Sequence, residues 1–373
     1  MQLSFWEQDA MLDADVVVIG GGIIGLQTAI ELREQQPDVR TVLLERGLLP
    51  EGASCRNAGF ACFGSLTEIL HDIDTMGEAA ALALVERRWR GLVLLRRRVG
   101  DEAMGYEALG GHELLLDAHL GALDRLRDVN RMLRPLFGQD VFALDAAGLG
   151  AGRFGPRARA LVRNPLEGQL HSGRLMRALA KLAAERGVEI HTGAQVKQLE
   201  ESDGEVRVHV AGERGLTFRA ARVALCTNGL SCELLPHSDI APGRGQVLVT
   251  APVAGLPWRG AYHLDEGFIY FRNVGERVLL GGARNLDFDG EATADMVSSE
   301  TIQSALEGLL HDTILPGRAL EIDYRWAGVM GFAKDKQPMV RRLSDRIVFG
   351  FGCNGMGVAL SAEIAAETAA VLM

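Results

Sequence analysis

The chain has 373 residues, of which 47% are hydrophobic and 24% are charged, and its formal net charge is −10 at pH 7. This ordinary composition excludes a disordered, collagen-like or coiled-coil chain, and at about 150 residues per domain the length predicts two domains. The acidic balance argues against a nucleic-acid partner, because nucleic-acid-binding proteins usually carry a basic face.

The first thirty residues indicate neither a signal peptide nor a membrane segment. Residues 1–12 lack a basic stretch, and the apolar run at 16–30 is interrupted by glycines and by Gln27. Signal peptides begin with basic residues, and a membrane span needs about 20 apolar residues.

The five cysteines are odd in number and none are spaced C-x-x-C, so we expect neither a disulfide framework nor a metal site. We therefore predict a protein of the reducing cytoplasm.

A strand, a glycine turn and a helix follow each other at the start of the chain. Residues 15–19 (DVVVI) predict a buried parallel strand, and residues 20–25 (GGGIIG) fit the pattern G-x-G-x-x-G. A helical pattern covers residues 26–35, and a second strand at 40–44 ends in an acid. This order of elements predicts a dinucleotide-binding unit, which is a stronger signal than the glycines alone.

Each part of this unit has a physical task. The first glycine permits a tight turn, the second lets the backbone approach a pyrophosphate, and the third allows close packing of helix on strand. The helix N-terminus attracts the phosphates, and the acid after the second strand can bind ribose hydroxyls. The predicted cofactor contacts from this unit are Gly20, Gly22, Ile23, Ile24, Gly25, Glu45 and Arg46.

The loop at residues 52–60 (GASCRNAGF) decides which dinucleotide we expect. It resembles the flavin loop of the D-amino acid oxidase family, which includes glycine and sarcosine oxidases. Its closest resemblance is to gamma-glutamylputrescine oxidoreductase-like members of that family. The resemblance implies FAD rather than NAD, with small residues passing against the flavin. The implied contacts are Ala53, Ser54, Arg56, Asn57, Ala58, Gly59 and Phe60.

Two segments in the middle of the chain resemble the same family. Residues 167–175 (EGQLHSGRL) are similar to the segment that returns the family's chain to the cofactor domain. There we interpret His171 as a packing residue and Ser172 as the N-cap of the next helix. Residues 223–229 (VALCTNG) are similar to a strand that ends near the pyrophosphate. The contacts that the family implies here are Val196 beside the adenine, and Thr227, Asn228 and Gly229.

The C-terminal part carries the second strong resemblance. Residues 326–331 (WAGVMG), with Asp335 and Pro338, resemble a family motif, and residues 347–352 predict a strand that runs into a glycine turn. The helix that follows presents its N-terminus, which can stabilise negative charge on a reduced flavin ring. The implied contacts are Gly352, Cys353, Asn354, Gly355, Met356, Gly357 and Val358. No cysteine has a context typical of flavin attachment, so we expect noncovalent FAD.

The substrate side departs from the family pattern. Relatives carry an arginine shortly after the tryptophan motif, where this chain has residues 329–331 (VMG). A second arginine of glycine oxidases corresponds to Cys353, and the flavin-side lysine of sarcosine oxidases to Leu279. Other arginines could bind a substrate carboxylate, because the guanidinium fork matches that group. These candidates are Arg56, Arg272, Arg284 and Arg325.

The hairpin at residues 262–272 supplies the remaining candidates. Tyr270 and Phe268 lie two residues apart, so they share one face of their strand, and we expect that face to line the pocket. His263 is a candidate general base, although we favour an exposed turn histidine. The predicted catalytic set is Tyr270, His263, Arg284 and Arg272. The arginine-rich stretch at residues 87–98 is interpreted as a solvated helix face.

Together the resemblances imply an α/β fold with two interleaved lobes. Residues 1–85, 153–235 and 320–373 would form a Rossmann-type FAD-binding lobe. Residues 86–152 and 236–319 would form an α+β substrate lobe on a mixed or antiparallel sheet.

The implied activity is oxidation of the C–N bond of an amine or amino acid. A hydride passes to flavin N5 and the imine then hydrolyses. A 2-hydroxy acid dehydrogenase and a flavin-binding subunit of a larger complex stay open as alternatives. The electron acceptor, oxygen or another carrier, and the oligomeric state stay open as well.

Overall fold

A computed structural model describes residues 3–202, 204–212, 215–235, 239–333, 337–351 and 353–373. Gly352 and Asp335, two positions that the sequence patterns select, lie outside these residues. The α-helices of the described residues are α1 (Phe5–Ala10), α2 (Ile23–Gln35), α3 (Ala53–Arg56), α4 (Leu66–Met76), α5 (Glu78–Val99), α6 (Asp101–Met104), α7 (Ala122–Phe137), α8 (Ala146–Gly152), α9 (Ser172–Glu185), α10 (Glu300–Leu309) and α11 (Gly357–Leu372).

The strands of the described residues form two large sheets and one short pair. They are β1 (Asp13–Ile19), β2 (Thr41–Leu44), β3 (Phe60–Ala61), β4 (Gly111–Leu115), β5 (Ala143–Leu144), β6 (Ala160–Asn164), β7 (Gly168–Gln169), β8 (Glu189–His191), β9 (Val196–Ser202), β10 (Glu205–Val210), β11 (Thr217–Leu225), β12 (Ile240–Thr250), β13 (Ala261–Leu264), β14 (Ile269–Val274), β15 (Arg277–Gly282), β16 (Ile322–Ala333), β17 (Met339–Arg342) and β18 (Ile347–Phe351).

The first sheet is parallel at its centre. Its order is β17-β18-β11-β1-β2-β8, and β1 pairs in parallel with β2 on one side and β11 on the other. Helices α2, α5, α9 and α11 cover one face, and the antiparallel pair β9–β10 adds a layer over the other. Burial on both faces explains why β1 and β2 are continuous apolar runs instead of alternating patterns.

The second sheet has the order β16-β12-β15-β14-β13-β4-β6-β5 and is antiparallel except where β13 pairs with β4. Helix α10 packs on it through Ile302 and Leu306. The predicted α/β fold class, with one Rossmann-type sheet and one mixed sheet, is confirmed. The lobe boundaries stay predictions: residue 85 lies inside α5, and β16 belongs to the second sheet although it follows residue 320.

The arginine-rich stretch is a solvated face only at Arg90 and Arg97, and the interpretation is wrong for Arg87, Arg88 and Arg98. Arg88 is 5% exposed and pairs with Glu68 at 3.3 Å. Arg87 pairs with Glu367 of α11 at 2.9 Å, and Arg98 pairs with Glu31 of α2. The helix therefore uses its cations to hold two helices of the first sheet.

No helix within the described ranges is long and apolar enough to cross a membrane.

Candidate active site

A cavity of about 560 Å³ lies between the two sheets. One wall is formed by the carboxyl ends of β1, β2 and β11 and by the loop after β18. The opposite wall is formed by β12, β13, β14 and β16. Open parallel sheets bind ligands at this edge, where strand order reverses, so the cavity occupies the expected place for a dinucleotide.

The glycine turn after β1 depends on two close backbone approaches. Gly20 has φ +107°, and a Cβ there would lie 2.6 Å from the Cys226 carbonyl oxygen. A Cβ on Gly25 would lie 1.9 Å from the Gly20 carbonyl oxygen. Gly25 does not line the cavity, and it serves the close packing of α2 on the turn.

The same end of the cavity presents hydrogen-bonding groups suited to a nucleotide. The Glu45 carboxylate accepts the N–H of Gly21 at 2.8 Å and of Gly47 at 3.0 Å, which fixes its position at the cavity wall. The N-caps of α2 and α11, Gly22 and Met356, line the cavity, and neither helix has a side-chain cap. Both N-termini therefore direct partial positive charge to the cavity.

The 52–60 loop is tied to three elements of the fold. Ser54 Oγ accepts the Ile23 N–H at 2.9 Å, which joins the loop to α2. The Ser172 hydroxyl donates to Asn57 Oδ1 at 2.7 Å, and Trp326 Nε1 donates to the Arg56 carbonyl at 2.9 Å. These bonds hold the loop rigidly along the cavity.

The predicted N-cap of α9 is wrong by one residue. The His171 ring nitrogen Nδ1 accepts the Arg174 N–H at 3.3 Å, so His171 caps the helix. Ser172 is instead the first helical residue, because its hydroxyl is committed to Asn57.

Two asparagines secure the glycine loops after β11 and β18. Asn228 and Asn354 have φ of 50° and 42°, a left-handed conformation that asparagine tolerates better than most residues. Their Oδ1 atoms accept the N–H groups of Gly331 at 3.3 Å and Ala333 at 2.8 Å, respectively. Both loops are thereby joined to β16 on the opposite wall.

Nearly all of the predicted cofactor residues meet in this one cavity. Their binding roles stay predictions. Those that line it are Gly20, Gly22, Ile23, Ile24, Glu45, Arg46, Ala53, Ser54, Arg56, Asn57, Ala58, Gly59, Phe60, Val196, Thr227, Asn228, Gly229, Cys353, Asn354, Gly355, Met356, Gly357 and Val358.

The other end of the cavity has an aromatic wall. The Phe60 ring meets His263 and Tyr270 edge-on, with centroids 5.1 and 5.5 Å apart. His263 is not an exposed turn residue, and that expectation is wrong: it lies in β13 and is 5% exposed. Burial lowers the pKa of His263 to about 4 and raises the pKa of Tyr270 to about 12, so both side chains are neutral at pH 7.

Arg284 is the cation of this end. It lines the cavity, and its guanidinium lies 4.0 Å from the centroid of the Phe332 ring and 5.2 Å from that of Phe288. Its Nε has no hydrogen-bond partner, and Arg284 forms no ion pair with any residue that the structure describes. Burial lowers the pKa of Arg284. An anion in the cavity would therefore meet a partly desolvated, uncommitted cation.

Arg272 does not line the cavity. It is 5% exposed, and its NH1 group donates to the carbonyls of Gly59 at 2.8 Å and Leu170 at 2.7 Å. Arg325 also lies away from the cavity and pairs with Glu307 at 2.7 Å. Arg272 thus holds the 52–60 loop against the strand before α9, and we do not carry it forward as a carboxylate partner.

Several cavity residues escaped the sequence analysis. Phe288 and Phe332 flank Arg284, while Glu68, His71 and Glu266 line the rim, where His71 and Glu266 pair at 3.0 Å. They come from four separate segments without a shared spacing, so the sequence carries no pattern that could group them.

Comparisons with known proteins agree with this geometry. A family model described as FAD dependent oxidoreductase matches residues 15–371. The probable oxidoreductase OrdL of Rhizobium meliloti is 25% identical over 366 residues, covering 93% of this chain and 80% of that protein. A glycine oxidase structure from Geobacillus kaustophilus is 20% identical with a TM-score of 0.78, covering 97% of this chain and 95% of that one. An L-proline dehydrogenase structure from P. horikoshii is 18% identical with a TM-score of 0.76, covering 97% and 93%.

Proposed function

The chain belongs to the FAD dependent oxidoreductase family, and we propose that it oxidises the carbon–nitrogen bond of a donor that carries a carboxylate, an amino acid or a related amine. The imine that forms then hydrolyses. The observation that carries this proposal is the uncommitted, partly buried guanidinium of Arg284 beside an aromatic, uncharged wall.

The residues at the nucleotide end fit FAD. In the turn at residues 20–25 the Gly21 and Ile23 N–H groups are bonded to Glu45 and Ser54. A Cβ on Gly22 would lie 3.1 Å from Ser54 Oγ, so the missing side chain there keeps the approach to the N-terminus of α2 open. Glu45 would hold ribose hydroxyls, and the 52–60 loop and the N-terminus of α11 would hold the ring system. When bound, FAD supplies the oxidant by accepting a hydride at its N5 atom.

Arg284 supports a carboxylate on the donor. A buried cation without a partner is costly, and a carboxylate that forms two parallel hydrogen bonds to the guanidinium relieves that cost. The Phe288 and Phe332 rings lie 5.2 and 4.0 Å from the guanidinium, so a carboxylate binds it from the directions that these rings leave open.

The aromatic wall supports a neutral amine as the reacting form. Phe60, Tyr270 and His263 bring no charge to the cavity at pH 7. An ammonium group is poorly solvated beside such a wall, so the wall favours loss of the ammonium proton. A nitrogen lone pair assists departure of hydride from the adjacent carbon. The two solved relatives named above are a glycine oxidase and an L-proline dehydrogenase, which supports an amino-acid donor.

The first test is anaerobic reduction of the bound flavin by a panel of donors. The reduction is measured as the loss of the flavin's visible absorbance. The panel contains amines, N-methyl amino acids, D- and L-amino acids and 2-hydroxy acids. We expect bleaching by an amino acid or a carboxylate-bearing amine. Arg284 would hold the carboxylate of a 2-hydroxy acid equally well. Bleaching by 2-hydroxy acids alone would therefore contradict the proposal and favour a hydroxy acid dehydrogenase. Readmitting air then separates an oxidase from a dehydrogenase by the rate at which the colour returns.

A further inference from the structure

A second, much smaller cavity lies behind the aromatic wall. Its volume is about 10 Å³, close to the space that one water molecule needs. Six of the nine residues that line it carry polar side chains, namely Ser65, His112, Glu113, Asn164, Glu167 and His263. A cavity of this size with hydrogen-bonding groups in its lining can hold one ordered water.

Unpartnered polar atoms surround this cavity. His112 Nδ1, Asn164 Nδ2 and both ring nitrogens of His263 lack a hydrogen-bond partner. Asn164 is 3% exposed and His263 is 5% exposed, so bulk water does not satisfy them. Buried polar groups are almost always hydrogen-bonded, and one water among these atoms would satisfy several of them at once.

Two buried carboxyl groups complete the lining. Glu113 accepts the Thr67 N–H at 3.2 Å and also the Thr67 hydroxyl. Glu167 accepts the N–H groups of Phe63 at 2.8 Å and Gly64 at 3.2 Å through Oε1. Burial raises the pKa of Glu113 to about 7 and of Glu167 to about 8, so both carboxyl groups bind a proton more readily than an exposed glutamate does.

Gly111 makes room for this arrangement. A Cβ at this position would lie 2.0 Å from Glu167 Oε2, so only glycine lets that carboxyl oxygen lie against the strand. A carboxyl group placed this tightly cannot turn away to solvent.

His263 lines both cavities, and it separates the donor end of the large one from the two carboxyl groups. We propose that His263 carries the donor's ammonium proton from the large cavity, through one water in the small cavity, to the Glu113–Glu167 pair. This inference rests on the proposed function, because it requires a donor that binds as an ammonium ion.

The transfer balances without an added reactant. An N–H bond of the donor breaks and its electron pair stays on the donor nitrogen. An N–H bond forms at one ring nitrogen of His263 while the N–H bond at the other ring nitrogen breaks. That proton joins the water, and a proton of the water bonds to a carboxylate oxygen of Glu113. An ammonium ion and a carboxylate become an amine and a carboxylic acid, and nothing is oxidised or reduced.

The neighbouring charges are compatible with this direction of transfer. Glu68 raises the pKa of both glutamates through its own charge, which makes the pair a better proton acceptor. Arg88 pairs with Glu68 at 3.3 Å and with Asp72 at 3.6 Å, so it neutralises part of that charge. His112 lines the small cavity as well, and burial lowers the pKa of His112 to about 4. The charges of Arg163, Asp145 and His263 also act on that pKa.

The first experiment uses infrared spectroscopy on the flavin-loaded protein without any donor. We expect a carbonyl band of a protonated carboxyl group that loses intensity as the pH rises through about 7 to 8. Glu113→Gln should remove part of this band, while the control Glu107→Gln, an exposed carboxyl bonded to Gln169, should leave it unchanged. A wild-type protein without such a band, or a Glu113→Gln spectrum equal to wild type, would overturn the inference.

The second experiment measures the rate of flavin reduction by the best donor between pH 6 and 10. His263→Phe keeps an aromatic ring in the wall but cannot pass a proton, so we expect reduction to slow about 100-fold at pH 7. The loss should shrink at high pH, where the donor is already neutral, and added imidazole should restore part of the rate to His263→Ala. If His263→Phe lost the flavin, His263→Gln would replace it.

Equal rates of wild type and His263→Phe at every pH would exclude a proton-carrying His263. A pH-independent loss without imidazole rescue would also overturn it, because that result describes packing alone. If no amine reduces the wild-type flavin, the proposed function fails, and the infrared result still decides whether the buried pair exchanges protons.

Discussion

The two ends of the large cavity are built from different parts of the polypeptide. The nucleotide end consists of backbone: the glycine turn, the N-termini of α2 and α11, and loops held by Asn228 and Asn354. The donor end consists of side chains, with Tyr270 and His263 on strands of the second sheet and Arg284 just after β15 of the same sheet. The first end suits a ligand shared by many proteins, while the second can change its ligand by replacing a few residues.

Because of this difference, substitutions at the two ends of the cavity should have different effects. A change at the nucleotide end moves backbone and so affects folding and cofactor together. A change at the donor end removes one contact and should leave the cofactor in place. The following predictions test that separation, beginning with the largest expected effect.

Gly25→Ala should have the largest effect. Its Cβ would lie 1.9 Å from the Gly20 carbonyl oxygen, so α2 must move away from the turn. Overpacking of this kind costs roughly 1–3 kcal/mol, and we expect the upper part of that range together with loss of bound FAD. Thermal unfolding and the ratio of visible to ultraviolet absorbance measure both effects. The control Gly308→Ala, also in a helix, has no atom within 4 Å of its Cβ, so it should keep its FAD and be at least as stable as wild type.

Arg284→Met should weaken the use of a carboxylate-bearing donor without changing cofactor binding or stability. Removing one partner of a buried charge pair costs about 2–5 kcal/mol, so we expect kcat/KM for a carboxylate-bearing donor to fall about 100-fold or more. The flavin content and the thermal midpoint should stay near wild type. Steady-state kinetics with the acid and with the matching decarboxylated amine measure the effect. An equal loss for both donors would mean that Arg284 does not hold the carboxylate.

Arg272→Met should affect stability and leave the donor alone. The carbonyls of Gly59 and Leu170 lose a buried cationic donor, and an unsatisfied buried group costs about 1–3 kcal/mol. Urea unfolding measures the loss, and the KM for the donor should not change. Arg131→Met is the control, because its exposed pair with Asp128 should contribute no more than about 1 kcal/mol. A raised KM with unchanged stability would return Arg272 to the list of donor-binding residues.

The buried carboxyl pair should give an effect that appears as a slope in stability against pH. The pKa of Glu113 is raised to about 7 and that of Glu167 to about 8, so above the ordinary value of 4.5 the folded protein holds protons that the unfolded chain has released. The free energy of unfolding should therefore decrease as pH rises from about 5 to 8. Glu113→Gln should flatten that slope, as measured by chemical unfolding at several pH values. If Glu113→Gln has the same slope as wild type, Glu113 is not the group that holds the additional proton in the folded protein.

The sequence predicted the nucleotide end closely because that end depends on backbone. A tight turn, a close helix approach and a free helix N-terminus each require particular residues at fixed local spacing, as at Gly20 and Gly25. The turn, α2, β2 and Glu45 are consecutive, so one stretch of sequence contains the whole unit.

The donor end was harder to predict because its residues meet only in three dimensions. Phe332 reaches Arg284 from β16, and His263 faces Phe60 from a different sheet. A histidine or an arginine in a hairpin carries no local sign of whether it is buried. His263 was therefore expected at the surface, and Arg272 was grouped with Arg284 although it holds carbonyls.

The order of strands in the first sheet has a consequence for biosynthesis. Strand β1 pairs with β11, about 200 residues later in the chain, and β11 pairs with β18. At about 5–20 residues per second a ribosome needs roughly 10–40 s to make that intervening stretch, during which one edge of β1 on the nascent chain lacks its partner. The N-terminus of α11 joins the cavity later still. FAD uptake should therefore follow synthesis of that helix, and cofactor content can report on whether synthesis has reached it.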